Sequence, residues 1–385
     1  MRILHTADWH VGRTIRGRSR AGEHEAVLAE IAQVAETEDV DLVLVAGDQF
    51  DMAAPSPDAE RIVYRALLDL AATGAQVVVI AGNHDHGQRL AAVAPLLATH
   101  GIHAGALVQA ADQGGMLTVR TKRGEVARIA LVPFLSRRYI VRADELMGLG
   151  ADQHAQCYDD RARRLIGHLC GGFSAETVNL VVAHLMVAGG VVGGGEREAH
   201  TIFDYAVSPH AFPASAHYVA LGHLHRSQQI PGACPVHYSG SPLQLDFGEA
   251  ADDKVVMLVD AAPGIPAEIR PVRLKAGLRL CTLTGTLDEL ARQAGTTSED
   301  HLRVVVRGPA RAGLADEVRA LFPDAVEVRV EAPDRDTRGE ARPQRLGRSP
   351  HELFAEYLAE QGAEDERVSG LFAELLDEAY AANQA

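Results

Sequence analysis

Cysteine is scarce in this chain. Its 385 residues hold four, Cys157, Cys170, Cys234 and Cys281, all far apart and none in a CxxC pair. That spacing excludes a zinc ribbon and a disulfide framework, and makes a reducing cytoplasm the expected location. Also missing is any apolar run long enough to span a bilayer, so no membrane association is expected. Met1-Arg2-Ile3-Leu4-His5 enters a strand-like segment directly, without the zones of a signal peptide. Positive charge is in deficit: 37 Lys and Arg face 52 Asp and Glu, for a formal net charge of −15. Taken alone, that deficit argues against a nucleic-acid binder, because phosphate contacts need cationic side chains. A whole-chain sum does not describe a local footprint, however. Arg13, Arg16, Arg18 and Arg20 form one basic cluster and Arg137-Arg138 another. Each is either a solvated surface or a DNA contact, and the first is kept as the candidate DNA-binding stretch.

What is present is an ordinary globular mixture, 47% hydrophobic and 23% charged. It is ample for one large α/β domain with smaller additions. Residues 2–7, 42–46 and 76–81 read as short apolar strands, with helical spacing over 23–36 and 59–70 between them. This alternation implies parallel strands covered by helices. Residues 178–183 and 217–221 read as two further buried strands. Each of the five apolar runs ends in polar residues: Asp8-Trp9-His10, Gly47-Asp48 with Asp51 close behind, Gly82-Asn83-His84-Asp85, His184, and Gly222-His223-Leu224-His225. Open α/β sheets collect ligands beyond the carboxyl ends of their strands, so these five ends are expected to meet.

Those residue types suit two divalent cations and a phosphate ester. Holding two ions about 3.5–4 Å apart requires a shared anionic ligand, and the pair lowers the pKa of a bridging water while neutralising phosphoryl charge. Asp48 is the expected bridge. Asp8, His10 and His225 would complete one ion's shell, and Asn83, His184 and His223 the other's. Residues two apart at a strand end share a face, which fits Asp8 with His10 and lets His223 and His225 each reach an ion. A histidine, carboxylate and amide mixture without thiolate suits Mn²⁺, Fe²⁺ or Zn²⁺ better than Ca²⁺. His84 follows a ligand and cannot share its direction. It is expected to contact the phosphate, stabilising the transition state or protonating the leaving oxygen. Asp85 is expected to orient His84 through a ring nitrogen.

The order D-x-H, GD-x-x-D, GNHD, H, GHxH resembles that of the calcineurin-like metallophosphoesterases. Within them, 5-HTADWHVG-12, 81-AGNHD-85, 238-YSGSPL-243 and 246-DFGE-249 resemble the SbcD family of nuclease subunits, as does the C-terminal helix start at Ser349-Pro350. The resemblance implies a layered sheet sandwich flanked by helices, with a small α+β capping domain and a C-terminal helical hairpin. It also implies the metal ligands named above, with Mn²⁺ as the expected ion, and a role for His84 at the scissile phosphate. The implied protein is a homodimeric DNA nuclease, a 3′-to-5′ exonuclease on duplex ends and an endonuclease on single strands and hairpins. It would serve DNA repair, recombination and replication in a heterotetramer with an SbcC-type coiled-coil ATPase. That partner would supply ATP binding, since no P-loop pattern occurs in this chain.

Four segments follow along the chain: a nuclease domain over 1–273, a DNA-positioning cap over 274–331, a linker over 332–348 and a hairpin over 349–385. In the cap, 280–287 and 302–306 read as strands, 314–321 as a helix and 325–330 as a strand. The linker is arginine-rich and nearly devoid of large apolar residues, so it cannot fold alone. Ser349, Pro350 and Glu352 make a capping box, and two amphipathic helices follow. They either pack back on their own domain or dock in a partner's groove. A small-molecule phosphodiesterase on the same core has no evident need for such a tethered hairpin. A non-catalytic scaffold has no need for an intact ligand set with His84. For dimer contacts, residues 59–70 and 90–97 offer apolar side chains that serve equally as core.

Overall fold

The computed structural model describes residues 1–135, 155–194, 196, 206–295, 300–309 and 311–331. Beyond these it describes 353–355, 357–358, 365, 367–373 and 375. The strands of the first half are β1 (Arg2–Thr6), β2 (Thr14–Ile15), β3 (Arg18–Ser19), β4 (Leu42–Val45), β5 (Gln76–Ile80), β6 (Ile102–Gly105), β7 (Met116–Arg120) and β8 (Val126–Val132). Those that follow are β9 (Val178–His184), β10 (Tyr218–Gly222), β11 (Gln228–Ile230), β12 (Val236–Tyr238), β13 (Val255–Ala262), β14 (Ile265–Arg273), β15 (Leu280–Gly285), β16 (His301–Arg307) and β17 (Glu327–Glu331). Helices α1 (Ala21–Thr37), α2 (Pro57–Ala72), α3 (Gly87–Ala98), α4 (Ala155–Cys170), α5 (Leu287–Gln293) and α6 (Leu314–Leu321) lie between them.

Two six-stranded sheets form the body, ordered β14-β13-β1-β4-β5-β6 and β11-β12-β10-β9-β8-β7. The central strands are parallel: β1, β4, β5 and β6 in one sheet, β8, β9, β10 and β12 in the other. Antiparallel strands close the edges, β13 and β14 on the first sheet and β7 and β11 on the second. The sheets face each other through Ile3, Leu42, Leu44, Val78 and Ile80 on one side and Ile129, Leu180, Val182 and Ala220 on the other. Helices α1–α3 cover the outer face of the first sheet, with Val27, Ile31, Ile62, Val63 and Leu67 packed over Val43, Val45, Val77 and Val79. Helix α4 covers the second, with Leu165, Ile166 and Leu169 over Val181, Val219 and Leu221. Strands buried on both faces need apolar residues at every position, which is why they read as continuous runs.

The five strand ends that carry candidate ligands thus belong to two sheets, three to one and two to the other. Pairing persists past the strands: Asp8 N donates to Gly47 O at 3.0 Å, and His10 N to Asp48 O at 3.0 Å. His184 Nδ1 reaches across the sheets to Ala46 O at 2.8 Å. Most apolar residues of 59–70 are core: Ala59, Ile62, Val63, Ala66, Leu67 and Leu70 are buried, while Leu68 is 36% exposed. Leu96, by contrast, is 70% exposed.

Beyond residue 274 a small unit stands on its own core. Its parallel sheet β15-β16-β17 packs with α5 and α6 around Leu290, Val304, Val306, Leu314 and Val318. The strand expected over 280–287 is shorter, because Leu287 opens α5. Thr286 and Glu289 form a complete capping box there, a helix signal that the apolar alternation of 280–285 overshadows. The unit is moored to the body by Arg16 to Glu327 at 3.0 Å, Glu23 to His301 at 2.7 Å and Leu280 N to Gln244 Oε1 at 2.7 Å. The linker, the Ser349 capping box and Arg137-Arg138 lie outside the described residues. Within the C-terminal segment, Phe354 stacks on Phe372 with ring centroids 4.0 Å apart, while Tyr357, Leu371 and Leu375 are exposed. No helix among the described residues is long and apolar enough to cross a membrane.

Candidate metal centre

Asp8 and His10 follow β1, Asp48 follows β4, Asn83, His84 and Asp85 follow β5, His184 ends β9, and His223 and His225 follow β10. The structure brings them into one buried cluster. Donor atoms of Asp8, His10 and His225 lie within 4.8 Å of one another, as do those of His10, Asp48 and His84, and those of Asp8, Asp48 and His184. Asp48 and Asp8 each belong to two of these groups. Asn83 Oδ1 sits 2.9 Å from His184 Nε2 and 2.8 Å from His223 Nδ1.

The backbone is strained where the candidate ligands sit. Asp8, His10, Asp48 and His223 have φ of 53°, 47°, 53° and 104°, a region that L residues avoid. Such strain persists only where the surroundings over-determine it. Here the surroundings include glycines that could be nothing else. A Cβ on Gly82 would overlap Asp48 Oδ1, one on Gly47 would overlap His184 Nδ1, and one on Gly222 would overlap Ala46 O.

Three histidines share one pattern. His10 Nδ1 meets Asp51 Oδ1 at 3.3 Å, His184 Nδ1 meets Ala46 O at 2.8 Å, and His225 Nδ1 meets Glu249 Oε1 at 3.1 Å. Each of these partners only accepts, so each Nδ1 carries a proton and Nε2 is the nitrogen left to bind an ion once the ring is neutral. Outer acceptors of this kind fix metal-ligating histidines. His184 Nε2 then confronts two acceptors, Asn83 Oδ1 and Asp48 Oδ2, the latter at 3.4 Å. Electron-rich atoms gathered this closely need a cation among them. His10 Nε2 has no hydrogen-bond partner although it is buried. These features fit divalent cations, and hard oxygen with imidazole nitrogen is a first-row donor set.

Protons stand in for those cations in the metal-free chain. Burial pushes the Asp8 carboxyl up to about 7, against the pull of His184 and His225. Burial would lower His184, but Asp48 beside it raises it to about 9. Burial would likewise raise Asp48, yet His184, His84 and His10 hold it well below the usual carboxylate range.

Two expectations are corrected. Asp85 does not orient His84. Its carboxylate accepts from the backbone N–H of Gly82 at 2.8 Å, Phe50 at 3.0 Å and Gln49 at 3.3 Å, so it staples the loop after β5 to the loop after β4. The partner of His84 Nδ1 is the backbone carbonyl of Asp51, at 2.7 Å. A carbonyl leaves no trace in the residue type, so this contact was not legible. Arg20 is not a surface cation either. It is 2% exposed, ion-paired to Glu23 and bonded to Gln244 O, because α1 begins beneath the small unit. Arg13 pairs with Asp51 at 3.2 Å and Arg16 with Glu327, while Arg18 is exposed on β3.

Residue reasoning missed Glu249, Lys254 and Glu196. Glu196 Oε1 accepts from His225 N at 3.0 Å and from Gly193 N at 2.7 Å, tying the glycine-rich segment to the site. Glu249 was in view within 246-DFGE-249, but an acid twenty-four residues from its histidine has no local signal.

A family model for calcineurin-like phosphoesterases matches residues 1–227, which takes in all of these strand ends. The chain is 38% identical over 281 residues to the SbcD component of nuclease SbcCD from Bacillus subtilis, covering 72% of this chain and 70% of that protein. It is 38% identical over 317 residues to the component of the same name from Rhodobacter capsulatus, covering 76% of each. The Escherichia coli K12 protein of that name is 32% identical over 303 residues, 76% of this chain and 73% of its own. Because these matches outrun the phosphoesterase core, the chain belongs to the SbcD family of calcineurin-like phosphoesterases.

Proposed function

We propose that this chain is the metal-dependent DNA nuclease component of an SbcCD-type complex. The observation that carries the reading is the convergence of carboxylate, amide and imidazole donors from five strand ends, with His84 beside them, in a chain of this family. Asp8, His10 and His225 would hold one divalent ion, Asn83, His184 and His223 the other, and Asp48 both. Mn²⁺ is the expected ion. When bound, the pair lowers the pKa of a water and neutralises charge on the phosphoryl oxygens.

The chain's own residues do the rest. Strained loops hold the ligands before the ions arrive, so little reorganisation accompanies binding. His84 N donates to Asp48 Oδ1 at 2.7 Å, which fixes the catalytic loop against the bridging carboxylate. With Nδ1 committed to Asp51 O, His84 presents Nε2 to the substrate. As the imidazolium it carries a second proton on Nε2, which would stabilise the phosphoryl oxygens or pass to the leaving oxygen.

Substrate and partner follow from the family. DNA ends and hairpins are the expected substrates, an SbcC-type coiled-coil ATPase the expected partner, and a heterotetramer built on a homodimer of this chain the expected assembly, in the cytoplasm. The small unit at 274–331 would position DNA. Arg13 and Arg18 remain its candidate contacts nearer the metals. Residues 349–385 would dock on the ATPase.

The test is Mn²⁺-dependent cleavage of a labelled DNA hairpin and of a chromogenic phosphodiester, with and without the ATPase. Hairpin cleavage boosted by the partner with ATP is expected. His84→Ala should lower it by about 10²–10⁴-fold while two Mn²⁺ ions still bind. Turnover of the small ester alone, indifferent to the partner, would move the chain to the small-molecule phosphodiesterases. Normal cleavage by His84→Ala would remove that residue from the mechanism.

A further inference from the structure

The turn Phe247–Glu249 faces two ways. Phe247 is buried with Ile15 and Leu280, Val326 packs against the same cluster, and the Arg303 guanidinium lies 4.5 Å above the ring. Leu280, Arg303 and Val326 all belong to the small unit. Two residues on, Glu249 is 0% exposed and points the opposite way, into the body. Its Oε1 meets His225 Nδ1 at 3.1 Å, and its Oε2 accepts from Lys254 Nζ at 2.6 Å and from Leu245 N at 3.0 Å. Lys254 also donates to His225 O at 3.1 Å and to Ser241 Oγ at 2.9 Å. One ammonium therefore holds both the carboxylate and the backbone of the histidine that the carboxylate addresses.

We propose that Glu249 is the positioning residue of His225, and that the Phe247–Glu249 turn is the joint through which the small unit bears on the metal centre. The inference rests on the dimetal reading above. An imidazole that donates Nδ1–H to a fixed carboxylate keeps Nε2 as its lone-pair atom, aimed in this fold toward Asp8 and His10. Without the acceptor the ring is free to turn and to take the other tautomer. Loss of such an outer partner weakens metal binding by about 10–100-fold. Lys254 keeps Glu249 from being a lone buried charge, so the pair must be altered together for the fold to tolerate the change. Phe247 adds the coupling: a shift of the small unit moves its ring, and the short turn passes that motion to Glu249.

The experiment titrates Mn²⁺ into metal-free, full-length protein and reads stoichiometry, affinity and the spin-coupled resonance signal of an ion pair. Glu249→Gln with Lys254→Met removes both charges but keeps an acceptor for His225. Glu249→Ala with Lys254→Met removes the acceptor as well. The first should bind two ions within a few-fold of wild type. The second should lose about 10–100-fold at one ion only and show isolated-ion signals. Phe247→Ala should weaken the same ion, by less. An alanine double variant that binds both ions like wild type overturns the positioning role, and a wild-type-like Phe247→Ala overturns the joint. Nitrogen NMR of the wild-type imidazoles reads the proton positions without any variant: Nδ1–H at His225 is expected, and a neutral ring protonated only at Nε2 would sink the proposal. Wild-type protein that takes up no second ion fails the dimetal reading instead.

Discussion

At the scale of single residues, the site depends on groups whose types are visible and on partners whose types are not. Asp8, His10, Asp48, Asn83, His184, His223 and His225 could be picked out because each closes an apolar run, and packing then leaves them only one place to go. The carbonyls of Ala46 and Asp51 and the distant Glu249 set the imidazole tautomers, and none of them is marked by spacing. Asp85 shows how proximity in sequence misleads: it neighbours His84 but turns away to accept three backbone N–H groups. The protons in the metal-free cluster give a prediction at this scale. Metal ligands must be deprotonated, so Asp8 must lose a proton it binds with a pKa of about 7 and His184 one it binds at about 9. Mn²⁺ affinity should therefore rise with pH from below 7 to about 9. Binding should release more protons at pH 6 than at pH 8. Calorimetry in buffers of different ionisation enthalpy counts those protons, and a pH-independent affinity with no release would contradict the ligand set.

At the scale of elements, five parallel strands of the body were legible because burial on both faces demands unbroken apolar runs, as in Leu42–Val45 and Val178–His184, whereas β6, β8 and β12, also parallel, were not picked out. The antiparallel edge strands were not either. In β14 every side chain is exposed or half-buried, so a sequence such as Ile-Pro-Ala-Glu-Ile-Arg carries little apolar signal. Nor does any single sequence feature say that the five ligand-bearing ends divide between two sheets. How the small unit is seated also escaped notice, since Arg20 reads as a surface cation until α1 is placed beneath it. Glu23 is the centre of that seam: it takes Arg20, His301 and the N–H of Leu278. Burial alone would raise its carboxyl, but Arg20 and His301 bring it from the ordinary 4.5 to about 2. A carboxyl depressed in the fold stabilises it fully above the unfolded value and loses that contribution as pH falls. The seam should thus hold above pH 4.5 and loosen between about 4.5 and about 2. Glu23→Gln should mimic the acid form at neutral pH. Hydrogen exchange would then quicken in β15 and β16 while β4 and β5 stay protected. Unchanged exchange in the small unit would show that Glu23 does not moor it.

At the scale of the whole molecule, a chain of net charge −15 is proposed to act on a polyanion. Many of its arginines are spent on internal pairs, among them Arg2, Arg13, Arg16, Arg20, Arg123 and Arg226. Two divalent ions would place about four positive charges at the point where a phosphate sits. Attraction for DNA would then be strongest at the metal centre, and an assembly would add further grip. The C-terminal segment is the part of the chain suited to recruit it. Its two pieces meet through Phe354 and Phe372, yet Tyr357, Leu371 and Leu375 stay 55%, 54% and 53% exposed. A helical face that spends its aromatic pair on itself and leaves large apolar groups in water is what a partner's groove takes up. Leu371→Asp with Leu375→Asp should weaken capture of the coiled-coil ATPase by roughly 30-fold or more, the loss of about 2 kcal/mol expected of an interface anchor. Exposed side chains contribute little to folding, so the melting temperature and the uptake of two Mn²⁺ ions should not move. Co-purification and a binding isotherm with the ATPase measure the first effect, calorimetry the second. A variant that still binds the partner at full strength would return this hairpin to being a tail of its own domain.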